Sequence, residues 1–269
     1  MQNIDIPALR KLQVHAFSDK RQPLMVPLPK KQQIGTLSNL SLYEFEGSHE
    51  NTVRLIQWPK ELVHFHFGRL YTKSYYLDLP RFHSMLLVHK ETLKTVDISY
   101  PSPEGRGRLF IASDFPHLET LRLSRWQMDR DLVFSREDAD ALLASNLQTF
   151  GWDFGIYDQH SESWTDFGTK EAEWLRALAK AAAARKAALK RIEITYNPDP
   201  CYAQTEGDGY PWDRMDRLRD EIRPYGIALE YSEPSLSRED WLEAVAPKPV
   251  FKERRITHYF TPKRRRCQH

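Results

Sequence analysis

Leu118-Glu119-Thr120-Leu121-Arg122-Leu123 decides how this chain is read, because its spacing of leucines recurs along the sequence. The same frame, with other apolar residues admitted, appears as Leu9/Leu12/Val14, Leu37/Leu40/Leu42, Leu62/Phe65/Phe67 and Leu93/Val96/Ile98. It returns further on as Leu147/Phe150/Trp152 and Leu189/Ile192/Ile194. The first residues fall at 9, 37, 62, 93, 118, 147 and 189, so the intervals are 28, 25, 31, 25, 29 and 42. All but the last lie close to a period of roughly 20–29 residues, the range of repeats that carry one short strand each. Such a strand buries its apolar face only when the next copy stacks on it.

The frame is that of a leucine-rich repeat. It predicts an α/β leucine-rich-repeat solenoid over residues 1–246, with parallel strands on the concave face. Helices or irregular segments return along the convex face, and a basic tail occupies 247–269. Side chains alternate along a strand, so the fourth and sixth positions of each frame point inward and the third, fifth and seventh point out. Gly226 to Tyr231 reads as an eighth, imperfect repeat.

The returns carry helix signals. Phe82, Met85, Leu86 and His89 recur at three and four residues, as on an amphipathic helix. Ser135 and Ser237 each open a Ser-Arg-Glu-Asp run, with the serine as cap and the acids at the positive end of the helix dipole. Leu236 is placed to staple onto Trp241. A long helix is expected from Lys170 to Leu189, capped by Thr169, and it explains the last interval. Another starts at Pro211 and is ended by Pro224 and Gly226.

Composition bounds the class. In 269 residues, 41% hydrophobic and 28% charged, there is enough apolar material for a core, and the net charge of +2 does not demand nucleic acid or a membrane. No run approaches a membrane span, and residues 1–17 have no apolar leader core. Cys201 and Cys267 are too few for a disulfide framework, which points to a reducing compartment, nuclear or cytoplasmic. No membrane and no sequence-specific nucleic acid is expected as partner.

The outward strand positions form the expected recognition surface for a protein partner: His64, His66, Asp97, Arg122, Asp153, Arg191 and Glu193. Lys11, Gln13, Asn39, Tyr43, Thr95 and Thr120 share that face. His64 and His66 have metal-compatible spacing but no third ligand in step, so both are expected to be solvated. A second candidate surface is the polar run from Asp158 through His160 and Glu162 to Trp164. Its acid–histidine–serine mixture lacks a glycine-flanked nucleophile turn, so a binding loop is expected there rather than an active site. No phosphate-cradling glycine loop and no zinc-protease motif occurs, and Gly105-Arg106-Gly107-Arg108 reads as a surface loop. Asp213 and Asp216 read as solvated acids. The chain is expected to be non-enzymatic and to carry no cofactor.

The tail segment Glu253-Arg254-Arg255-Ile256-Thr257-His258-Tyr259-Phe260 resembles the peptides that dock on the sliding clamp PCNA. Ile256, Tyr259 and Phe260 match the hydrophobic plug, while Glu253 stands where that family has glutamine. Pro262 followed by Lys263, Arg264, Arg265 and Arg266 also fits a nuclear-localisation patch.

Four further blocks carry a second resemblance: Phe115 to Trp126, Phe150 to Phe154, Asp158 to Trp164 and Tyr210 to Asp216. Together they are similar to the leucine-rich-repeat regions of filamentous-fungal F-box-like proteins. That resemblance implies a substrate-recognition module of an SCF-type ubiquitin ligase. The family carries its F-box before the repeats, whereas here the first repeat begins at Leu9. The Skp adaptor is therefore not an expected partner.

Overall fold

The computed structural model describes residues 9–15, 35–45, 47–68, 77–99, 109–128, 132–154, 167–198 and 209–246. Eight strands form one open parallel sheet: β1 (Lys11–His15), β2 (Asn39–Tyr43), β3 (His64–Gly68), β4 (Thr95–Ile98), β5 (Thr120–Ser124), β6 (Thr149–Asp153), β7 (Arg191–Thr195) and β8 (Ala228–Tyr231). Their order in the sheet is their order in the chain. This differs from a doubly wound sheet, whose strand order reverses at a switch point.

Register follows the leucine frame. Leu12, Leu40, Phe65, Val96, Leu121, Phe150, Ile192 and Leu229 lie in one continuous row across the eight strands. A slip of one residue would turn each apolar set to the opposite face, so burial pins this alignment. Each strand also enters the same way. Thr95, Thr120, Thr149 and Arg191 donate their backbone N–H to Val63, Lys94, Glu119 and Gln148 carbonyls, all at 3.0–3.1 Å.

Among the described residues six α-helices intervene or follow: α1 (His49–Gln57), α2 (Leu79–Leu86), α3 (Arg136–Leu142), α4 (Thr169–Ala184), α5 (Pro211–Ile222) and α6 (Arg238–Val245). Their starts are chemical. The side chains of Ser48, Asp78, Ser135 and Ser237 accept the otherwise unpaired amides of Asn51, Arg81, Asp138 and Asp240. Pro80 stands in the first turn of α2 and Pro211 opens α5. Gly226, at φ +74°, reverses the chain before β8.

Helices cover the face of the sheet that carries the apolar rows. Phe82 of α2 lies 5.8 and 4.7 Å, centroid to centroid, from Phe65 and Phe67. Trp174 of α4 packs the same way on Phe150 and Trp152. The core is therefore one continuous slab between sheet and helices.

Three expectations are corrected. The long helix ends at Ala184 rather than Leu189, because Lys186 takes a left-handed φ of 52° and turns the chain toward β7. Its N-cap is Gly168 rather than Thr169, and the Glu171 carboxylate reaches back to the Gly168 amide at 2.9 Å. Asp213 and Asp216 are also more than solvated acids. Asp213 pairs with Arg238 at 3.0 Å, and Asp216 accepts the Tyr231 hydroxyl while pairing with Arg219. Burial and that hydrogen bond push the Tyr231 phenol up to about 12. The polar run 158–164, the arginine–glycine loop, both cysteines and the whole tail, including Ile256, Tyr259 and Phe260, lie outside the described residues.

Candidate functional site: the open face of the sheet

The face of the sheet opposite the helices carries the outward strand positions. It places His64, His66, Asp97, Arg122, Asp153, Arg191 and Glu193 on one surface, as the alternation predicts. What holds each of them differs along the sheet.

On the first four strands the links are rings. His15 and Tyr43 are in register on β1 and β2 and stack at 4.6 Å with 14° between planes. Tyr43 and His66 follow at 4.6 Å, tilted by 40°. Neighbouring strands lie about 4.7–4.9 Å apart, so one ring per strand stacks without distortion. His66 reaches this stack by leaning over Gly68. A Cβ at 68 would sit 2.8 Å from His66 Nε2, so the glycine is what admits the ring. His66 Nδ1 lies 3.2 Å from Asp97 Oδ2, and Asp97 Oδ1 accepts the Ser99 hydroxyl at 3.0 Å. His64 Nδ1 is 3.0 Å from the Thr95 hydroxyl. His66 is therefore a built-in member of a ring and carboxylate cluster, not the solvated histidine the sequence suggests.

On the last four strands the links are charges. Arg122 on β5 and Glu193 on β7 are two strands apart, with Gly151 of β6 in register between them. The gap of roughly 10 Å between those backbones needs a long side chain lying flat. Gly151 makes that possible, because any Cβ there would overlap the Arg122 side chain. Arg122 Nε and Nη2 then both donate to Glu193 Oε2, at 2.9 and 2.5 Å. Arg191 Nη1 stands 3.5 Å from Glu193 Oε1, and its Nε 3.3 Å from Glu230 Oε1. Arg122, Glu193, Arg191 and Glu230 thus alternate in sign across three strands. Asp153 lies beside them, in register with Ser124 and Thr195.

Half-exposed pairs of this kind contribute little stability, about 0–1 kcal/mol each. Their effect is to fix side-chain positions, so the surface is ordered before anything binds it. The arrangement offers hydrogen bonds, stacked rings and charges to a flat partner. Among the described residues no group of three or more His, Cys, Asp or Glu could hold a metal ion. The shallow groove of about 170 Å³ between α4 and α5 contains Arg176, Arg214, Arg217, Glu173 and Glu221. Arg176 there is already bonded to Glu221 at 2.7 Å.

Sequence reasoning missed the part played by Gly68 and Gly151. Phe150-Gly151-Trp152 carried a usable signal, since glycine inside a strand marks a close approach of other atoms. It also missed the buried groups beneath the face. Arg125 donates from Nε and Nη2 to Glu171 Oε1 at 3.0 and 2.8 Å and lies over the Trp152 ring. His83 Nε2 is 2.8 Å from Asp114 Oδ2, its ring edge-on to Phe110 and Phe115. His89 is wholly buried, with Nε2 donating to the Ile56 carbonyl at 2.8 Å and Nδ1 facing the Leu62 amide. Burial lowers its pKa below the ordinary 6.5.

No family model, no curated protein and no solved structure matches the chain.

Proposed function

We propose that this chain is a non-enzymatic, protein-binding leucine-rich-repeat solenoid that holds its partner on the open face of the sheet. The observation that carries this is the pre-ordering of that face in two groups, His15, Tyr43, His66 and Asp97 on one side and Arg122, Glu193, Arg191 and Glu230 on the other. Fixed polar side chains repeated on successive strands support the reading, because stacked repeats present one extended surface for binding. The sequential strand order, the in-register apolar rows and the confinement of helices to one face support the solenoid reading. The resemblance to F-box-like repeat regions supports substrate recognition in ubiquitin-linked turnover as the setting.

A photo-crosslinking residue at Ser41, on the open face, and another at Lys180, exposed on α4, test the reading. In nuclear and cytosolic extract, discrete crosslinked proteins are expected from position 41 and not from position 180. Equal labelling from both, or none from 41, would overturn it. Clamp binding through Ile256, Tyr259 and Phe260 is a separate proposal. Its test is PCNA binding to the intact chain against the Tyr259→Ala variant.

A further inference from the structure

The sheet ends at β1 on a strand built unlike its neighbours. Leu40 and Leu42 of β2, in register with Leu12 and Val14, are fully buried. Leu12 and Val14 are only half-buried, and Leu9 before them likewise. No described strand pairs with the outer edge of β1. The Arg10 carbonyl accepts the Asn39 amide, so backbone direction alternates from there. Lys11, Gln13 and His15 therefore turn their N–H and C=O groups to that outer edge.

The side chains at this edge have a definite chemistry. Residues 9–15 contain Arg10, Lys11 and His15 and no acid. Arg10 donates to the Thr36 carbonyl at 3.2 Å, whereas Lys11 has no carboxylate partner among the described residues. Among the described residues the ring stack ends at His15, which is exposed, one strand spacing beyond Tyr43.

We propose that the outer edge of β1 docks an extended, acidic segment of a partner protein, which adds a ninth strand to the sheet. The segment lies parallel to β1, as every other neighbour in the sheet does. It places an acidic residue opposite Lys11, apolar residues beside Leu12 and Val14, and a planar residue that continues the stack beyond His15. Strand addition of this kind takes its affinity from the main chain and its specificity from alternate side chains. A second copy of this chain does not fit the edge. Antiparallel pairing of β1 with itself sets Lys11 of one copy opposite His15 of the other, with no acid between them. This edge adjoins the open face and shares Lys11 and His15 with it; the inference rests on the outward backbone groups of β1 and not on the function proposed for that face.

The test uses the full chain and a peptide with the core Glu-Val-Thr-Ile-Tyr, beside one with Lys in place of Glu. Saturable binding of the acidic peptide is expected, weakened about tenfold by the Lys substitution, with the preference inverted in Lys11→Glu. Amide exchange at Lys11, Gln13 and His15 should slow on binding. Gln13→Pro removes one outward N–H without breaking the β1–β2 ladder, so the variant should fold normally and lose the peptide. Three results would overturn the inference. Amides at 11, 13 and 15 already protected in the free chain would mean another part of the chain covers the edge. Equal binding of both peptides would remove the charge argument. No binding at all would leave Lys11 as a guard against edge pairing.

Discussion

Strands β1–β4 and β5–β8 share one apolar frame but secure their polar groups by different physics. On the first half, rings and their hydrogen bonds do the work: His15, Tyr43 and His66 stack, His66 meets the Asp97 carboxylate, and His89 beneath them is held between the Ile56 carbonyl and the Leu62 amide. On the second half, ions do it: Arg122, Glu193, Arg191 and Glu230 above the sheet, and Arg125 with Glu171 inside. The difference teaches that the repeat prescribes only the inward rows. What the other positions hold depends on which side chains the stacking happens to set across from one another.

The sharpest way to break the second half is Arg125→Met. Arg125 is 2% exposed, and its loss leaves the Glu171 carboxylate buried without its counter-ion. Destabilisation of about 3–5 kcal/mol is expected, read from urea midpoints. Replacing both partners, as Arg125→Met with Glu171→Gln, should recover part of it.

Gly151→Val comes next. The new side chain displaces Arg122 from its path, and about 1–3 kcal/mol should be lost to overpacking. Arg122→Ala in the same chain should relieve most of that. A double-mutant cycle with no coupling between 122 and 151 would show that the arginine does not lie over the glycine.

Tyr43→Ala tests the ring half. Loss of two stacked contacts predicts about 0.5–1.5 kcal/mol beyond simple burial, and that loss should not change with added salt. The smallest effect is Glu230→Gln, below about 1 kcal/mol, and it should vanish in high salt because both partners are about half exposed.

Acid separates the halves in another way. The folded His89 pKa lies below 6.5, so the unfolded chain takes up its proton first as pH falls. Stability is then fully present above 6.5 and declines as pH drops from there toward the folded value. Relative to the intrinsic rate at each pH, hydrogen exchange at pH 5 against pH 7 should quicken around Ile56 and Leu62, and a His89→Gln variant should lose that pH dependence. Equal quickening around Arg125 would break the distinction drawn between the two halves.

The sequence by itself determined the inward rows, the strand register, the starts of α3, α5 and α6 and which residues share the open face. Those features are legible because they are local: apolar period, caps and alternation are written within a few residues of chain. Ser135 before Arg136-Glu137-Asp138 announces its helix wherever it folds. The interval from Thr169 to Leu189 was read one turn too long because alanine-rich sequence does not mark where a helix stops. A left-handed Lys186 does. The partners of His66, Arg122, Arg125 and His89 were decided by tertiary structure alone. Arg122 finds Glu193 at a separation of 71 residues, Arg125 finds Glu171 at 46, and His89 finds Ile56 at 33. Stacked strands bring such residues within reach through space, and a one-dimensional pattern carries no record of that distance. Gly68 and Gly151 mark where it shows faintly, as side chains left out so that others could lie across them.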